Sequence, residues 1–255
     1  MGKIIGLDVG GTKISGVLFD GKKVLKELTI KTPDNLFEFE RNLLKLADFL
    51  SVGSKVSGVG IGMAGLMDFK KGIAIHSPNI KFVKNLFLRK LFQLNGYKNV
   101  EIENDARCFA LSESLIGYGK NKNNVVCLTL GTGIGGGLVY NGKLIRGSHF
   151  GAGEVGHMIY EGQITFEKAF QKARDRKDNR ALANIVGNLL TNIYRLTDPD
   201  LIVLGGGVAM SKNRNFINEA TKKCAKNLVT YKIKPQVKTS KLKNAGAIGA
   251  ALLVG

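Results

Sequence analysis

The chain has 255 residues, and 44% of them are hydrophobic, which is enough apolar material for one large domain or two small ones. The 33 glycines and 4 prolines indicate many tight turns and ligand-facing loops, and this balance excludes a disordered chain. No apolar run is long enough to span a bilayer, and the first residues begin a strand-like run without the pattern of a signal peptide. We therefore predict a cytoplasmic protein.

The formal net charge of +18 at pH 7 favours anionic partners such as nucleotides, sugar phosphates or nucleic acid. The basic residues are dispersed lysines without interleaved aromatic residues, and no helix is typical of DNA reading, so we do not expect a nucleic acid partner. The three cysteines, Cys108, Cys127 and Cys224, are an odd and scattered set. This favours buried thiols over a disulfide framework or a zinc site.

The first half of the chain predicts a β-hairpin, a further strand, a helix and another strand. Asp20-Gly21 is a strong hairpin signal, and Pro33 marks a later turn. Apolar residues recur at helical spacing over 35–50. Alternating or continuous apolar runs predict strands at 3–11, 12–21, 22–32 and 56–65.

The second half repeats this order. Asn141-Gly142 is again a hairpin signal. The predicted elements are a strand at 123–133, a hairpin at 134–143, a helix at 183–197, a strand at 198–207 and a small-residue helix at 245–254. The repetition predicts a duplicated α/β fold, with one domain formed by 1–106 plus 244–255 and the other by 107–243. No linker separates the halves, so we expect them to meet across a cleft.

The segment "DVGGTK" at 8–13 is a candidate phosphate turn. Gly10 and Gly11 let backbone N–H groups approach a phosphate closely, Thr12 can donate its hydroxyl, and Lys13 follows. Asp8 stands at the end of the strand and can hold Mg²⁺ directly or through water.

A second candidate turn, "GTGIGGG", contains Gly131, Thr132 and Gly133. It matches a dinucleotide-binding motif, but that motif opens a helix and this one opens a hairpin, so we reject the dinucleotide interpretation. Either turn alone could be an ordinary hairpin. At matching positions of a duplicated fold, they are predicted to hold the two ends of a triphosphate. Gly205 and Gly206 form a third turn, interpreted either as a sharp bend or as a flat surface for a nucleobase.

Asn104 and Asp105 lie between a short predicted strand and a helix. One interpretation is helix capping, for which both residue types are favoured. The other is a general base, Asp105, that takes a proton from a sugar hydroxyl while the amide of Asn104 positions the sugar. Phosphoryl transfer needs little more than a base, a metal ion and electrostatic contacts.

The chain resembles the ROK family of sugar kinases and sugar-responsive regulators. Six segments in the family's order carry the resemblance: "IGLDVGGTKISGVLFD", "GIGMAGLMD", "NDARCFAL", "LTLGTGIGGGLVYNGKLIRGSHFGAGEVGH", "DPDLIVLGGGVA" and "GAIGAALL". The resemblance implies an actin-like, hexokinase-type (ribonuclease H-like) fold of two α/β domains around a central cleft. It also implies the use of ATP and Mg²⁺, with Asp105 as catalytic base and Asn104 and Gly65 beside the sugar.

Glu154 and His157 match the family's E-x-G-H segment, in which both residues contact the sugar and the histidine also binds a structural zinc. Most family members continue with a cysteine-rich zinc loop, which is absent from this chain. We therefore predict no zinc, with 160–165 holding His157 by packing and hydrogen bonds. Glu167 aligns with a further sugar-contacting glutamate, and Glu161 is its alternative. Arg107 stands where the family usually has asparagine.

The resulting hypothesis is an ATP-dependent kinase that phosphorylates a hexose at its 6-hydroxyl. Glucose is the best single guess for the substrate, and N-acetylhexosamines and other hexoses are alternatives. The alternative is a non-catalytic sugar-binding or regulatory protein of the same family. The chain starts at the first strand, without the helix-turn-helix domain of the family's repressors, which argues against a DNA-binding regulator. An acetate-kinase-like activity is disfavoured by the E-x-G-H segment. Family members are often dimers, so a homodimer is a further expectation, although no stretch identifies an interface.

Overall fold

The structure is a computed structural model that describes residues 2–212, 214–228, 232 and 234–254. The chain divides into two compact units, Met1–Ser112 with Leu242–Gly255, and Glu113–Lys241. The first boundary falls inside the helix that begins at Asp105, so the expected division after residue 106 lies in the same helix.

The first unit is built on a five-stranded sheet with the strand order β3-β2-β1-β4-β8. Strands β1, β2 and β3 are antiparallel, whereas β4 and β8 run parallel to β1. In chain order, the elements of this unit are β1 (Lys3–Val9), β2 (Lys13–Phe19), β3 (Val24–Lys31), α1 (Leu36–Ser51), β4 (Val56–Met63), β5 (Leu66–Asp68), β6 (Ile73–His76), β7 (Lys84–Leu86), α2 (Leu88–Leu94), β8 (Val100–Asn104), α3 (Asp105–Leu115) and α8 (Ala245–Ala251).

Helices cover both faces of this sheet. On one face, α1 buries apolar residues at helical spacing, among them Phe39 and Leu43, against the core side of β1. On the other face, α8 comes so close to β1 that a side chain at Gly6 would place its Cβ 1.9 Å from the carbonyl oxygen of Ala247. Small residues at this contact therefore set the distance between sheet and helix, and Asp8 lies on the same side of β1.

The second unit repeats the arrangement, with the strand order β11-β10-β9-β14-β15. Its elements are β9 (Asn124–Leu130), β10 (Ile134–Tyr140), β11 (Lys143–Ile145), a 3₁₀ turn (Val155–His157), β12 (Ile159–Glu161), β13 (Ile164–Thr165), α4 (Phe166–Asp175), α5 (Asn179–Thr197), β14 (Leu201–Gly205), α6 (Gly206–Ala209), α7 (Asn215–Asn227) and β15 (Val237–Thr239). Again the first three strands are antiparallel and the last two are parallel to β9. The predicted duplication of the α/β fold is confirmed.

The predicted elements all occur, with shifted ends. The turn at Asn141-Gly142 has positive φ at both residues, 49° and 71°, as a two-residue hairpin of this kind requires. The helix predicted to begin at 183 begins at Asn179, where the carboxylate of Asp178 accepts the N–H of Ala181 at 2.9 Å. No helix in the described ranges has both the length and the apolar character needed to cross a membrane.

Candidate active site

The carboxyl ends of the three parallel strands of the first unit meet at one edge of the sheet, the position at which open α/β sheets bind ligands. The register places Asp8 opposite Gly62 and Met63 opposite Asn104. The predicted residues that follow these strands, including Gly65 and Asp105, therefore lie at the same edge.

Asp8 has an unusual electrostatic environment. Its carboxylate packs against α8, where a side chain at Gly246 would place its Cβ 2.5 Å from Oδ2. Burial, and secondly the charge of Asp105, raise the pKa of Asp8 from its ordinary value of 3.8 to about 7, while the charge of Lys13 acts in the opposite direction. A buried carboxylate near the charge of a second one forms a site that favours a cation.

Asn104 and Asp105 occupy the junction between β8 and α3. The Oδ1 atom of Asn104 accepts the N–H groups of Ala106 at 3.0 Å and Arg107 at 3.3 Å, so Asn104 caps the helix. Its Nδ2 donates to the carbonyl oxygen of Gly65 at 3.2 Å. One oxygen of Asp105 accepts the N–H of Ala106 at 2.9 Å. Asn104 therefore caps the helix, and its contact with a sugar stays a prediction.

The segment that follows β6 was missed by the sequence analysis and borders this edge at two points. Gly65 has a φ of +119°, and a Cβ there would lie 2.1 Å from the carbonyl oxygen of His76. A Cβ at Gly11 would lie 2.7 Å from the carbonyl oxygen of Asn79. The hydroxyl of Ser77 is buried without a hydrogen-bond partner among the described residues. Segment 76–79 thus spans from the predicted sugar side to the first glycine turn.

The first glycine turn is fixed by its own backbone and by Thr32. The N–H of Gly10 donates to the carbonyl of Lys13 at 3.0 Å. The hydroxyl of Thr32 donates to the carbonyl of Gly10 at 2.7 Å, and its N–H donates to the carbonyl of Thr12 at 3.1 Å. Gly11 and Thr12 are exposed, so their polar groups are available to a ligand.

The glycine turns of the second unit follow the adjacent strands β9 and β14, which pair Gly205 with Thr129. Gly206 has a φ of +86°, and a Cβ there would lie 2.6 Å from the carbonyl oxygen of Leu130. The third glycine turn therefore packs directly against the end of β9, where the turn of Gly131 to Gly133 begins.

The E-x-G-H segment lies beside the same turn. Gly156 packs so closely on the start of β10 that a Cβ would lie 2.4 Å from the carbonyl oxygen of Ile134. The Nε2 atom of His157 is 3.8 Å from the Oε2 atom of Glu154, and the side chains are 68% and 44% exposed. Both side chains are therefore accessible, and their contact with a sugar stays a prediction.

The predicted support for His157 is not observed. Segment 160–165 forms the hairpin of β12 and β13, and the ring of Tyr160 packs edge-on against Phe166 at 5.2 Å. The N–H of His157 donates to the carbonyl of Glu154 at 3.1 Å, and its ring is exposed. The short hairpin thus packs against the start of α4 instead of holding the histidine, because Tyr160 contacts the apolar ring of Phe166. Glu161 is exposed on the same hairpin.

Glu167 lies against the turn of Gly131 to Gly133. Its Oε2 accepts the N–H of Ile134 at 2.8 Å, and a Cβ at Gly133 would come within 2.1 Å of the same oxygen. Two further residues of α4 contact the turn, Gln171 and Arg174, and the sequence analysis did not identify them.

Asp8 fits the requirements of a Mg²⁺ ligand. Magnesium is usually held by one or two carboxylates together with substrate phosphates and water. A cation beside Asp8 would favour its charged form, which burial and, secondly, the charge of Asp105 disfavour. Among the described residues, no group of three or more His, Cys, Asp or Glu side chains is placed to hold a metal ion. The expectation of a zinc-free protein stays a prediction.

A groove of about 1090 Å³ in the second unit lies between α5, α7 and β15 and is lined by basic residues such as Arg180 and Lys226. None of the predicted site residues lines it. We therefore define the candidate site by the glycine turns and carboxylates and not by cavity size.

Two α/β units that share one strand order, each with a glycine turn after its first strand, define the actin-like, hexokinase-type fold. The chain belongs to the ROK family, whose profile matches residues 4–170 and 163–255.

Three comparisons illustrate the similarity. A β-glucoside kinase of Listeria monocytogenes is 30% identical over an alignment of 247 positions, gaps included, that covers 81% of this chain and 83% of that protein. The ROK hexokinase of Thermus thermophilus superimposes with a TM-score of 0.88 at 28% identity, over 99% of this chain and 97% of that one. A ROK glucokinase of Streptomyces griseus, in complex with glucose and AMPPNP, gives a TM-score of 0.80 at 27% identity and covers 99% of both chains.

Proposed function

We propose that this protein transfers the γ-phosphate of ATP to a hydroxyl of a sugar, with Asp105 as general base. The observation that carries the proposal is the junction of β8 and α3. There Asp105 begins a helix, and the charge of Asp105 contributes to the raised pKa of Asp8. The neighbouring Asn104 donates its amide to the carbonyl of Gly65. A base, a positioning amide and a candidate cation ligand thus stand at one sheet edge, as phosphoryl transfer requires.

The proposed reaction has one chemical step. The proton of the sugar hydroxyl passes to the carboxylate of Asp105 while the hydroxyl oxygen attacks the γ-phosphorus of ATP. The bond between that phosphorus and the β,γ-bridging oxygen breaks, and ADP leaves with its electrons. Asp105 then releases its proton to water. Mg²⁺, when bound near Asp8, would neutralise charge on the phosphates.

The glycine turns are the proposed ATP anchors. The turn of Gly10 to Lys13 supplies backbone N–H groups and the hydroxyl of Thr12. The turn of Gly131 to Gly133 supplies a second set, and Gly205 and Gly206 offer a surface free of side chains to the base. These backbone groups are preorganised, since Thr32 and α4 already hold the turns.

On the sugar side, we propose that Asn104, Gly65, Glu154, His157 and Glu167 contact the substrate. The complex of the Streptomyces glucokinase with glucose and AMPPNP supports a hexose and ATP as substrates. The 6-hydroxyl of glucose is the proposed acceptor, with β-glucosides and N-acetylhexosamines as the nearest alternatives. Independence from zinc, a homodimeric state and a cytoplasmic location are further predictions.

The decisive variant is Asp105→Asn, which keeps the shape of the base and removes its ability to take a proton. We expect kcat to fall by about 10²- to 10⁴-fold and the sugar dissociation constant to stay within about threefold. Asp34→Asn is the matched control, because Asp34 is exposed and lies outside the site. Retention of more than a tenth of the wild-type kcat would contradict the assignment of Asp105.

The alternative is a sugar-binding or regulatory protein without activity. The two functions differ in one observation, which is whether ATP is consumed only when a sugar is present. Sugar binding without ATP consumption, at sugar and Mg·ATP concentrations that saturate the protein, would favour the alternative.

A further inference from the structure

One stripe of α4 faces the glycine turn that follows β9. Glu167, Gln171 and Arg174 are spaced i, i+4 and i+7, so they lie on the same side of the helix. The neighbouring side of the helix buries Phe166 and Phe170 in the core of the second unit. The helix is therefore anchored by its apolar side and offers its polar stripe to residues 131–134.

All three side chains of the stripe bond to the backbone of the turn. The Nη1 atom of Arg174 donates to the carbonyl oxygens of Gly131 at 3.0 Å and Thr132 at 2.5 Å. The amide of Gln171 donates to the carbonyl of Thr132 at 3.3 Å. Glu167 accepts the N–H of Ile134 at 2.8 Å. Two successive carbonyls and the last N–H of the turn are thus held by one helix.

This arrangement fixes the direction of two backbone donors. In a trans peptide the C=O and the following N–H point to opposite sides. Because the carbonyls of Gly131 and Thr132 point to α4, the N–H groups of Thr132 and Gly133 point away from it. Neither N–H donates a hydrogen bond to any described residue, and a Cβ at Gly131 would meet no atom within 4 Å. The turn therefore presents two directed donors next to open space, which suits an anion.

Arg174 is itself held in place. Its Nε and Nη2 atoms donate to Oδ1 of Asp175 at 2.9 and 2.7 Å, which leaves Nη1 for the turn. A guanidinium has the fork geometry to contact a carboxylate and two carbonyls at once, whereas a lysine ammonium is a single point charge.

We propose that Arg174, assisted by Gln171 and Glu167, positions the turn of residues 131–134 so that the N–H groups of Thr132 and Gly133 bind phosphate oxygens of ATP. The inference rests on the proposed function and extends it. Arg174 is a positioning residue in this proposal, since its guanidinium is bonded to the turn and to Asp175. Glu167 connects the helix to the same turn, in addition to the sugar contact proposed above.

The test compares Arg174→Ala, Arg174→Lys and Gln171→Ala with the wild type. The control is Arg176→Ala. Arg176 is exposed and lies two residues after Arg174, so this variant removes an equal charge from outside the stripe. Binding of AMPPNP in the presence of Mg²⁺ is measured by calorimetry, KM is measured for ATP and for the sugar, and thermal unfolding monitors folding.

For Arg174→Ala we expect AMPPNP affinity to fall by about tenfold and KM for the sugar to stay within about twofold. Arg174→Lys should recover only part of this loss, Gln171→Ala should lose about twofold to threefold, and Arg176→Ala should bind as the wild type does. The Gln171→Ala variant keeps the proposal testable if Arg174→Ala fails to fold.

Three results would overturn the inference. AMPPNP affinity unchanged in Arg174→Ala would show that the turn does not need the helix. Full recovery in Arg174→Lys would show that the charge, and not the fork, is what matters. An equal loss for ATP and sugar would indicate a general structural role. Failure of the wild type to bind AMPPNP at all would instead overturn the proposed function, and this inference with it.

Discussion

The buried ion pair between Glu103 and Arg107 flanks the proposed base, Asp105, in the chain, and its removal gives a quantitative test. The Nη1 atom of Arg107 is 3.2 Å from Oε1 of Glu103, and the two side chains are 3% and 0% exposed. The same carboxylate oxygen accepts the N–H of Asn104 at 2.9 Å. The pair therefore ties the first turn of α3 to the end of β8.

Replacing Arg107 by alanine leaves the carboxylate of Glu103 buried without its cationic partner. Removal of one member of a buried pair destabilises a protein by about 3 to 5 kcal/mol. For a protein of this size, the melting temperature should fall by about 6 to 12 °C at a loss of 3 kcal/mol. Differential scanning calorimetry measures this change, with Arg176→Ala as control for the loss of one positive charge.

The double variant Glu103→Gln, Arg107→Met separates the pair from its packing. Because both charges are removed together, we expect it to recover at least half of the loss seen in Arg107→Ala. A melting temperature within about 2 °C of the wild type for Arg107→Ala would refute the reasoning. It would mean that the carboxylate of Glu103 is compensated by its other contacts.

Three further predictions concern the carboxylate and the glycines of the site. In metal-free protein, Asp8→Asn should raise the melting temperature at pH 8 and leave it unchanged near pH 3. The reason is that Asp8 has a raised pKa of about 7 in the folded protein, so the wild type loses stability as pH rises from about 4 to 7, by at most roughly 4 kcal/mol. The same dependence of melting temperature on pH in both proteins, measured in EDTA, would contradict this. Gly133→Ala should displace Glu167 from the turn and raise KM for ATP by about tenfold, and an unchanged KM would show that the turn tolerates a side chain. Gly65→Ala should cost about 1 to 3 kcal/mol of stability and weaken sugar binding, because its φ of +119° strains any other residue, and a calorimetric titration with the sugar checks it.

Much of the fold could be predicted because the signals are local. The alternation of β2, the Asn141-Gly142 turn and the helical spacing of α1 are each readable within a few residues. The repeated order of these signals revealed the duplication. Helix α7 was missed although Phe216 and Ile217 are buried on it, because its sequence is rich in lysine and no side chain caps its start. The strands β5 to β7 were missed because each spans three or four residues, too few for a period to show.

The residue types of the candidate site were likewise readable, since glycine turns and the Asn104-Asp105 pair are local features. The contacts that hold these residues in place could not be read from the sequence. Arg174 lies 43 residues from Gly131 in the chain, and Asn79 is similarly remote from Gly11. Nothing in the sequence near either partner signals such a contact, because tertiary packing alone creates it. The role expected for 160–165 failed for the same reason, since Tyr160 packs on Phe166 and the side chain of His157 is exposed.

The central claim is that the chain phosphorylates a sugar with ATP, and one assay tests it most directly. ADP release is coupled to an optical signal and measured against a panel of hexoses, β-glucosides and N-acetylhexosamines, with Mg²⁺ and with protein freed of zinc by a chelator. We expect ADP release that depends on one or two of these sugars and is lost in Asp105→Asn. The absence of ADP release with every sugar of the panel, by protein that still binds AMPPNP and a sugar, would contradict the claim that the chain is a sugar kinase.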